Sequence, residues 1–168
     1  MSLAKLHSFR AAPWTVLLLS GGLLCGAWFF QYVLGYAPCQ MCYWQRHAHK
    51  AVLAVAALWL ILRKLGVEAA EMLRWAAVLA LLVSFGLASW HVGVELGFLD
   101  APPTCLAGNT NTKAPQCPAD NPLCFLEKPI KPPACSEAVW HFLGLSMAGW
   151  NALASLIGAV WVATSKKL

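Results

Sequence analysis

Long apolar runs alternate with short polar breaks along this chain, and four of them stand out: Trp14 to Leu34, Tyr43 to Leu62, Trp75 to Gly97 and Val139 to Ala163. Each reaches or nears the roughly 20 residues that carry a helix across about 30 Å of hydrocarbon. The pattern predicts an all-α membrane protein, a four-transmembrane-helix bundle with spans about 14–34, 43–62, 75–97 and 139–163, forming one domain over residues 1–168. The second run is the least regular, because Gln45, Arg46, His47, His49 and Lys50 crowd its first two turns and leave a clean stretch only from Ala51 to Leu62. A buried helix of a soluble protein could carry that segment. Beside three membrane neighbours a fourth crossing is the better reading, since it returns both termini to one side. The first run is longer than the apolar part of a signal peptide and lacks a small-x-small cleavage site, so it is expected to stay as a span.

Composition strengthens this picture: 60% of the residues are hydrophobic and 11% charged, whereas a soluble domain carries about a quarter charged residues. Basic residues then orient the bundle. Lys5 and Arg10 precede the first run, Arg63, Lys64 and Arg74 flank the link between the second and third, and Lys166 and Lys167 close the chain. The positive-inside rule places these ends, and both termini, in the cytoplasm. The net charge of +5 therefore reads as topology, and no basic patch interleaved with aromatics points to nucleic acid.

Six of the seven cysteines fall on the opposite, non-cytoplasmic side, where disulfides persist. Cys39 and Cys42 occupy the short link into the second run, and Cys105, Cys117, Cys124 and Cys135 occupy the long loop at about 98–138. That loop holds eight of the ten prolines, which excludes regular helix or central strand, and its segment Leu123 to Ile130 offers apolar residues to the membrane surface. Cys25, in the middle of the first run, reads as a small buried hydrophobe without chemistry.

The stretch "PCQMCYWQR", residues 38–46, could be a metal clip, a structural staple or a redox centre. A helix starting near Cys39 puts Cys42 in its first turn with Arg46 one turn below. Both the helix N-terminus and the guanidinium favour thiolate, so Cys42 is expected to be acidic. Zinc held with His47 and His49 fits poorly, because His49 lies about 10 Å along the axis from Cys42 and tetrahedral ligands must sit within a few ångströms. A reactive pair at the lip of a lipid-embedded helix has a natural two-electron partner in a lipid-soluble quinone, with Arg46 stabilising the anionic oxygen that forms. A bridge between Cys105 and Cys135 would close a loop of about 30 residues, worth on the order of 3 to 4 kcal/mol as an inert staple, but four loop cysteines allow three pairings.

Taken together, four spans, P-C-x-x-C with an arginine four residues on, a lone Cys105 after the third run and Cys135 followed by "WHFLGLSM" resemble the DsbB family of bacterial disulfide bond formation proteins over nearly the whole chain. The resemblance implies an inner-membrane oxidoreductase that reoxidises a periplasmic thioredoxin-fold, DsbA-like partner and passes electrons to ubiquinone or menaquinone. It implies a Cys105–Cys135 disulfide attacked at Cys105, then exchange of Cys135 with Cys39 and release of Cys42. It also implies Arg46, Met147 and His91 at the quinone, although His91 reads equally as a satisfied helix histidine. Gln45 stands where some relatives carry an acid, and Cys117 and Cys124 lie outside the common four-cysteine pattern, most simply as an added structural disulfide. Three rivals remain at this point, one of them a structural bundle merely stapled by its disulfides. A vitamin K epoxide reductase-like enzyme usually has its C-x-x-C near the fourth helix, and a metal-handling membrane protein would use the cysteine pairs as soft ligands.

Overall fold

A computed structural model of the chain describes residues 11–67, 70–106 and 133–165. In chain order its elements are α1 (Ala12–Tyr32), α2 (Gln40–Lys64), α3 (Ala70–Glu95), the one-turn α4 (Pro103–Leu106), a hairpin of β1 (His141–Phe142) and β2 (Leu145–Ser146), and α5 (Met147–Ala163). Among the described residues, α1 and the Glu71–Glu95 part of α3 are long and apolar enough to cross a membrane. The loop cysteines Cys117 and Cys124, the segment 123–130 and the terminal lysines lie outside the described residues.

Local chemistry sets the helix ends. Pro13 stands in the first turn of α1, where a missing N–H leaves nothing unpaired. The extended backbone of Cys39 caps α2, and Arg63 and Lys64 occupy its last turn, opposite in sign to the helix dipole there. Ser146 caps α5, its Oγ accepting from the Gly149 N–H at 3.1 Å.

The fourth helix departs from expectation. The apolar run from Val139 predicts a span over 139–163, yet α5 begins only at Met147 and is 17 residues long. Leu143 (φ 50°) and Gly144 (φ 80°) are both left-handed, the conformation of a tight two-residue hairpin turn. It pairs His141 with Ser146 and Phe142 with Leu145. The Trp150 indole N–H donates to the Phe142 carbonyl at 3.0 Å and fastens this hairpin to α5. Apolarity alone does not separate such a turn from the first turns of a helix.

Helix α3 makes its largest contact with α5, and α2 bridges α3 and α1. The buried positions recur every three or four residues: Ala12, Val16, Ser20 and Leu24 on α1, Met41, Gln45, His49, Val52, Ala56 and Trp59 on α2, and Ala148, Asn151, Ser155, Ala159 and Val162 on α5. Large apolar side chains such as Leu18, Phe29, Leu79 and Ile157 point outward instead. Polar groups inside and hydrocarbon outside is the order that lipid, not water, favours. Cys25 is likewise exposed rather than buried, because it falls one position beyond the inward stripe of α1.

Along the bundle the interior has three tiers. One end is an apolar core around Val16, Val52, Trp59, Leu81 and Val162. The other is a sulfur-rich cluster of Cys39, Met41, Val94, Cys105 and Cys135. Between them lie the buried polar side chains Ser20, Gln45, His49, Ser84, Asn151 and Ser155. The link of Arg74 to the Ser165 carbonyl, at 3.0 Å, closes the apolar-core end.

Candidate active site

Four sequence-nominated cysteines meet at one end of the bundle. Cys39 and Cys42 are thiols with their Sγ atoms 2.8 Å apart, and the Cys39 sulfur also accepts the Cys42 backbone N–H at 3.2 Å. Cys105, carried on α4, is disulfide-bonded to Cys135, and this bridge packs against Cys39 in one buried cluster. The pair Cys39 and Cys42 stands at the N-terminus of α2, before its apolar part.

The two thiols are driven apart in acidity. A hydrogen bond from Cys39 holds Cys42 below the ordinary thiol value of 9.0 against the opposing effect of burial, with a backbone N–H and the Arg46 charge adding smaller help and Glu95 opposing. The same bond pushes Cys39 well above the thiol range, with burial and the Cys42 negative charge reinforcing it. The expected direction for Cys42 holds, but its leading cause is the neighbouring thiol rather than Arg46. The reason is visible in where the guanidinium goes. Arg46 does not hang beneath Cys42; it reaches α1, donating to the Gln31 side chain and to the Ala27 carbonyl at 3.1 Å, and lies 5.5 Å from the centre of the Tyr43 ring.

A cavity of about 350 Å³ opens between α1, α2 and α5, walled by Gly22, Gly26, Phe30 and Trp140 and lined by Cys42, Arg46, His91 and Met147. Cys39, Cys105 and Cys135 are not in its wall. A smaller cleft behind it touches Cys39, Cys42, His91 and Glu95. Cys42 is thus the cysteine common to both spaces, with the other three cysteines outside the cavity wall.

His91 stands at the junction. Its Nε2 lies 3.6 Å from Cys39 Sγ, 3.1 Å from the Cys135 carbonyl oxygen and 3.8 Å from Glu95 Oε1, and its Nδ1 is 2.8 Å from Gln45 Nε2. The ligand atoms of Cys39, Cys42 and His91 lie within 4.8 Å of one another, close enough to hold a soft metal ion. His47 and His49, the histidines next to the motif, take no part in that group; His49 turns inward to Ser20 and Asn151.

Comparison with known proteins identifies the family. The family model described as Disulfide bond formation protein DsbB matches residues 9–165. The chain belongs to the DsbB family. It is 31% identical over 161 residues to Disulfide bond formation protein B of Shewanella frigidimarina (strain NCIMB 400), covering 89% of this chain and 86% of that protein. It is 30% identical over 152 residues to the protein of the same name from Histophilus somni (strain 129Pt), covering 85% and 78%. The counterpart in Xanthomonas axonopodis pv. citri (strain 306) is 30% identical over 168 residues, covering 92% and 88%. No solved structure matches the chain. Family and fold together make this a disulfide-forming membrane protein.

Several residues of this DsbB-family site escape local sequence reading. Gln31 and the Ala27 carbonyl, which hold Arg46, lie 15 and 19 residues before it. Asn151, Ser20 and Ser84 gather around His49 from three other helices. One signal could have found them: polar side chains inside apolar runs are unfavourable in lipid unless they meet each other.

Proposed function

We propose that the protein is a quinone-dependent oxidase of protein dithiols in the bacterial inner membrane. In this reading all four long helices cross the bilayer, both termini face the cytoplasm, and the cysteine end faces the periplasm and a DsbA-like thioredoxin-fold partner. The observation that carries it is the position of Cys42, which alone among the four cysteines borders the apolar cavity shared with Arg46, His91 and Met147, while Cys39 packs beside Cys135.

The sulfur chemistry follows from that placement. A partner thiolate attacks Cys105; a partner–Cys105 bond forms, the Cys105–Cys135 bond breaks, and the electron pair stays on Cys135. With Cys39 and Cys42 joined, Cys135 attacks Cys39 and Cys42 leaves as thiolate at the cavity wall. The partner's second thiol releases Cys105, which attacks Cys135 and frees Cys39. Only a small approach of the Cys39 and Cys42 sulfurs, from 2.8 Å to about 2.05 Å, recloses their bond.

Largely apolar walls, one thiolate and one cation, with Gln45, His49, His91 and Asn151 as polar edges, suit a flat, lipid-soluble ring, and a ubiquinone or menaquinone bound there would supply a sink for two electrons and two protons. Arg46, already oriented by Gln31 and Ala27, favours negative charge beside Cys42, and Met147 adds an adaptable apolar contact.

The test is reduction of a quinone analogue by purified protein supplied with a reduced thioredoxin-fold oxidase, with Cys39, Cys42, Cys105 and Cys135 each changed to serine. Every change should abolish turnover, and ample turnover without Cys39 or Cys135 refutes the relay. A second reading, a soft-metal site, draws on the closeness of Cys39, Cys42 and His91. It requires stoichiometric metal and reduced thiols in the purified protein, where the oxidase requires disulfides and bound quinone.

A further inference from the structure

The middle tier of the bundle holds a line of hydrogen bonds whose members Gln45, His49, Asn151 and His91 also border the cavity, and which the sulfur exchanges themselves do not use. It runs from Ser20 Oγ to His49 Nδ1 at 3.2 Å, from His49 Nε2 to Asn151 Oδ1 at 2.6 Å, from Asn151 Nδ2 to Gln45 Oε1 at 2.6 Å, and from Gln45 Nε2 to His91 Nδ1 at 2.8 Å. Its members come from all four long helices and are all buried. Polar glue between membrane helices accounts for their mutual satisfaction. It does not account for the line ending on the histidine that faces Cys39.

The direction of every bond in the line follows from one atom. The Cys135 carbonyl oxygen, 3.1 Å from His91 Nε2, can only accept, so a neutral His91 carries its proton on Nε2 and presents a bare Nδ1. A bare Nδ1 needs a donor, which turns the Gln45 NH₂ toward it and the Gln45 oxygen toward Asn151. Asn151 must then give its NH₂ to Gln45 and its oxygen to His49, which places the His49 proton on Nε2 and leaves Nδ1 to accept from the Ser20 hydroxyl. The chain is unidirectional, and no link can reverse alone.

We infer that the Ser20–His49–Asn151–Gln45 line holds the His91 proton on Nε2, where it lies between the Cys135 carbonyl at 3.1 Å and Cys39 Sγ at 3.6 Å, and that His49, Asn151 and Gln45 are positioning residues for sulfur exchange at Cys39. The step it serves is the release of Cys39. As Cys105 enters as thiolate, the Cys105–Cys135 bond forms, the Cys39–Cys135 bond breaks, and the electron pair stays on Cys39. The Nε2–H of His91, 3.6 Å from that sulfur, donates a hydrogen bond to the departing anion without giving up its proton. The other faces of His91 meet the Glu95 side chain and the Gln45 amide.

This inference rests on the relay for its kinetic consequence, whereas the proton positions are read without turnover, so the two can fail separately. In ¹⁵N-histidine-labelled whole protein in detergent, the nitrogen resonances of both His49 and His91 should show Nε2–H and a bare, hydrogen-bonded Nδ1. A proton on His91 Nδ1 overturns the inference, and this reading needs no variant to fold. For the kinetics, Gln45→Leu and Asn151→Leu should each lower kcat for partner oxidation roughly tenfold, the size of one hydrogen bond to a charged group, with KM for the partner unchanged. Because the residues act in series, the double variant should be no slower than Gln45→Leu alone. Single effects that multiply in the double variant show independent packing contacts and overturn the positioning role.

Discussion

The acidity of Cys42 discriminates between two physical causes, and substitution separates them. Its leading support is the hydrogen bond from Cys39 across 2.8 Å, a contact to a charged sulfur. Arg46 contributes less, its donors being engaged by Gln31 and Ala27. Cys39→Ala removes both the thiol donor and the sulfur that caps the Cys42 N–H, so the Cys42 titration should move back up toward the ordinary thiol value of 9.0. Cys39→Ser keeps a donor and a capping oxygen and should retain most of the acidity, and Arg46→Met should fall between the two. The sign is fixed by the lowered value: the thiolate is present above it and is lost as pH falls through it, so wild-type reactivity should stay level from alkaline pH down past the ordinary 9.0. Cys39, shifted upward, should remain slow over the same range. The assay is the pH dependence of iodoacetamide alkylation at Cys42, resolved by peptide mass, in protein whose other cysteines apart from position 39 are serine. An Arg46→Met variant with ordinary thiol acidity, beside a Cys39→Ala variant that keeps its thiolate, refutes this ranking of causes.

Other changes have equally definite outcomes. A Cβ on Gly158 would lie 2.5 Å from the tip of Leu19; Gly158→Ala should be absorbed by that flexible side chain, whereas Gly158→Ile should destabilise the bundle by about 1–3 kcal/mol, measured by thermal unfolding in detergent. Cys25 points away from the interior, so Cys25→Ser should leave both turnover and Tm unchanged, and a loss of either would place it in the machinery. Trp140 stacks on Phe142 and meets Phe30 edge-on at 5.0 Å beside the cavity, so Trp140→Ala should raise KM for a quinone analogue several-fold with kcat preserved.

How much of the fold and site is legible in the chain depends on how local the chemistry is. The C-x-x-C with Arg46 is readable because a helix start fixes Cys39, Cys42 and Arg46 within two turns, and α2 begins where Pro38 and Cys39 put it. The bridge partners Cys105 and Cys135 are 30 residues apart, so their flanking residues rather than their spacing identify them. The helix that the run from Val139 predicts gives way to a turn at Leu143 and Gly144, since hydropathy registers apolarity but not the sign of φ. Spacing misplaces the Arg46 head for a related reason: one turn of helix says which face a side chain leaves from, and a long guanidinium can still cross to another helix.

The polar line is the hardest part to see, although it obeys a rule that the apolar runs themselves impose. A polar group in hydrocarbon must find its partner within hydrocarbon, so each polar residue inside an apolar run implies another at the same depth. Ser20, His49, Ser84, Asn151 and Ser155 satisfy that rule jointly, yet the pairs are separated by as much as 102 residues in the chain. Depth, rather than spacing, is the coordinate that groups them. The same rule explains why His91 is held so firmly: a histidine at the inner edge of the sulfur cluster is stable there only with both nitrogens occupied, and the carbonyl of Cys135 and the amide of Gln45 occupy them. Burial beside the cysteines therefore demands the hydrogen bonds that orient the ring, and it is this orientation that turns an unfavourable buried imidazole into a fixed donor facing Cys39.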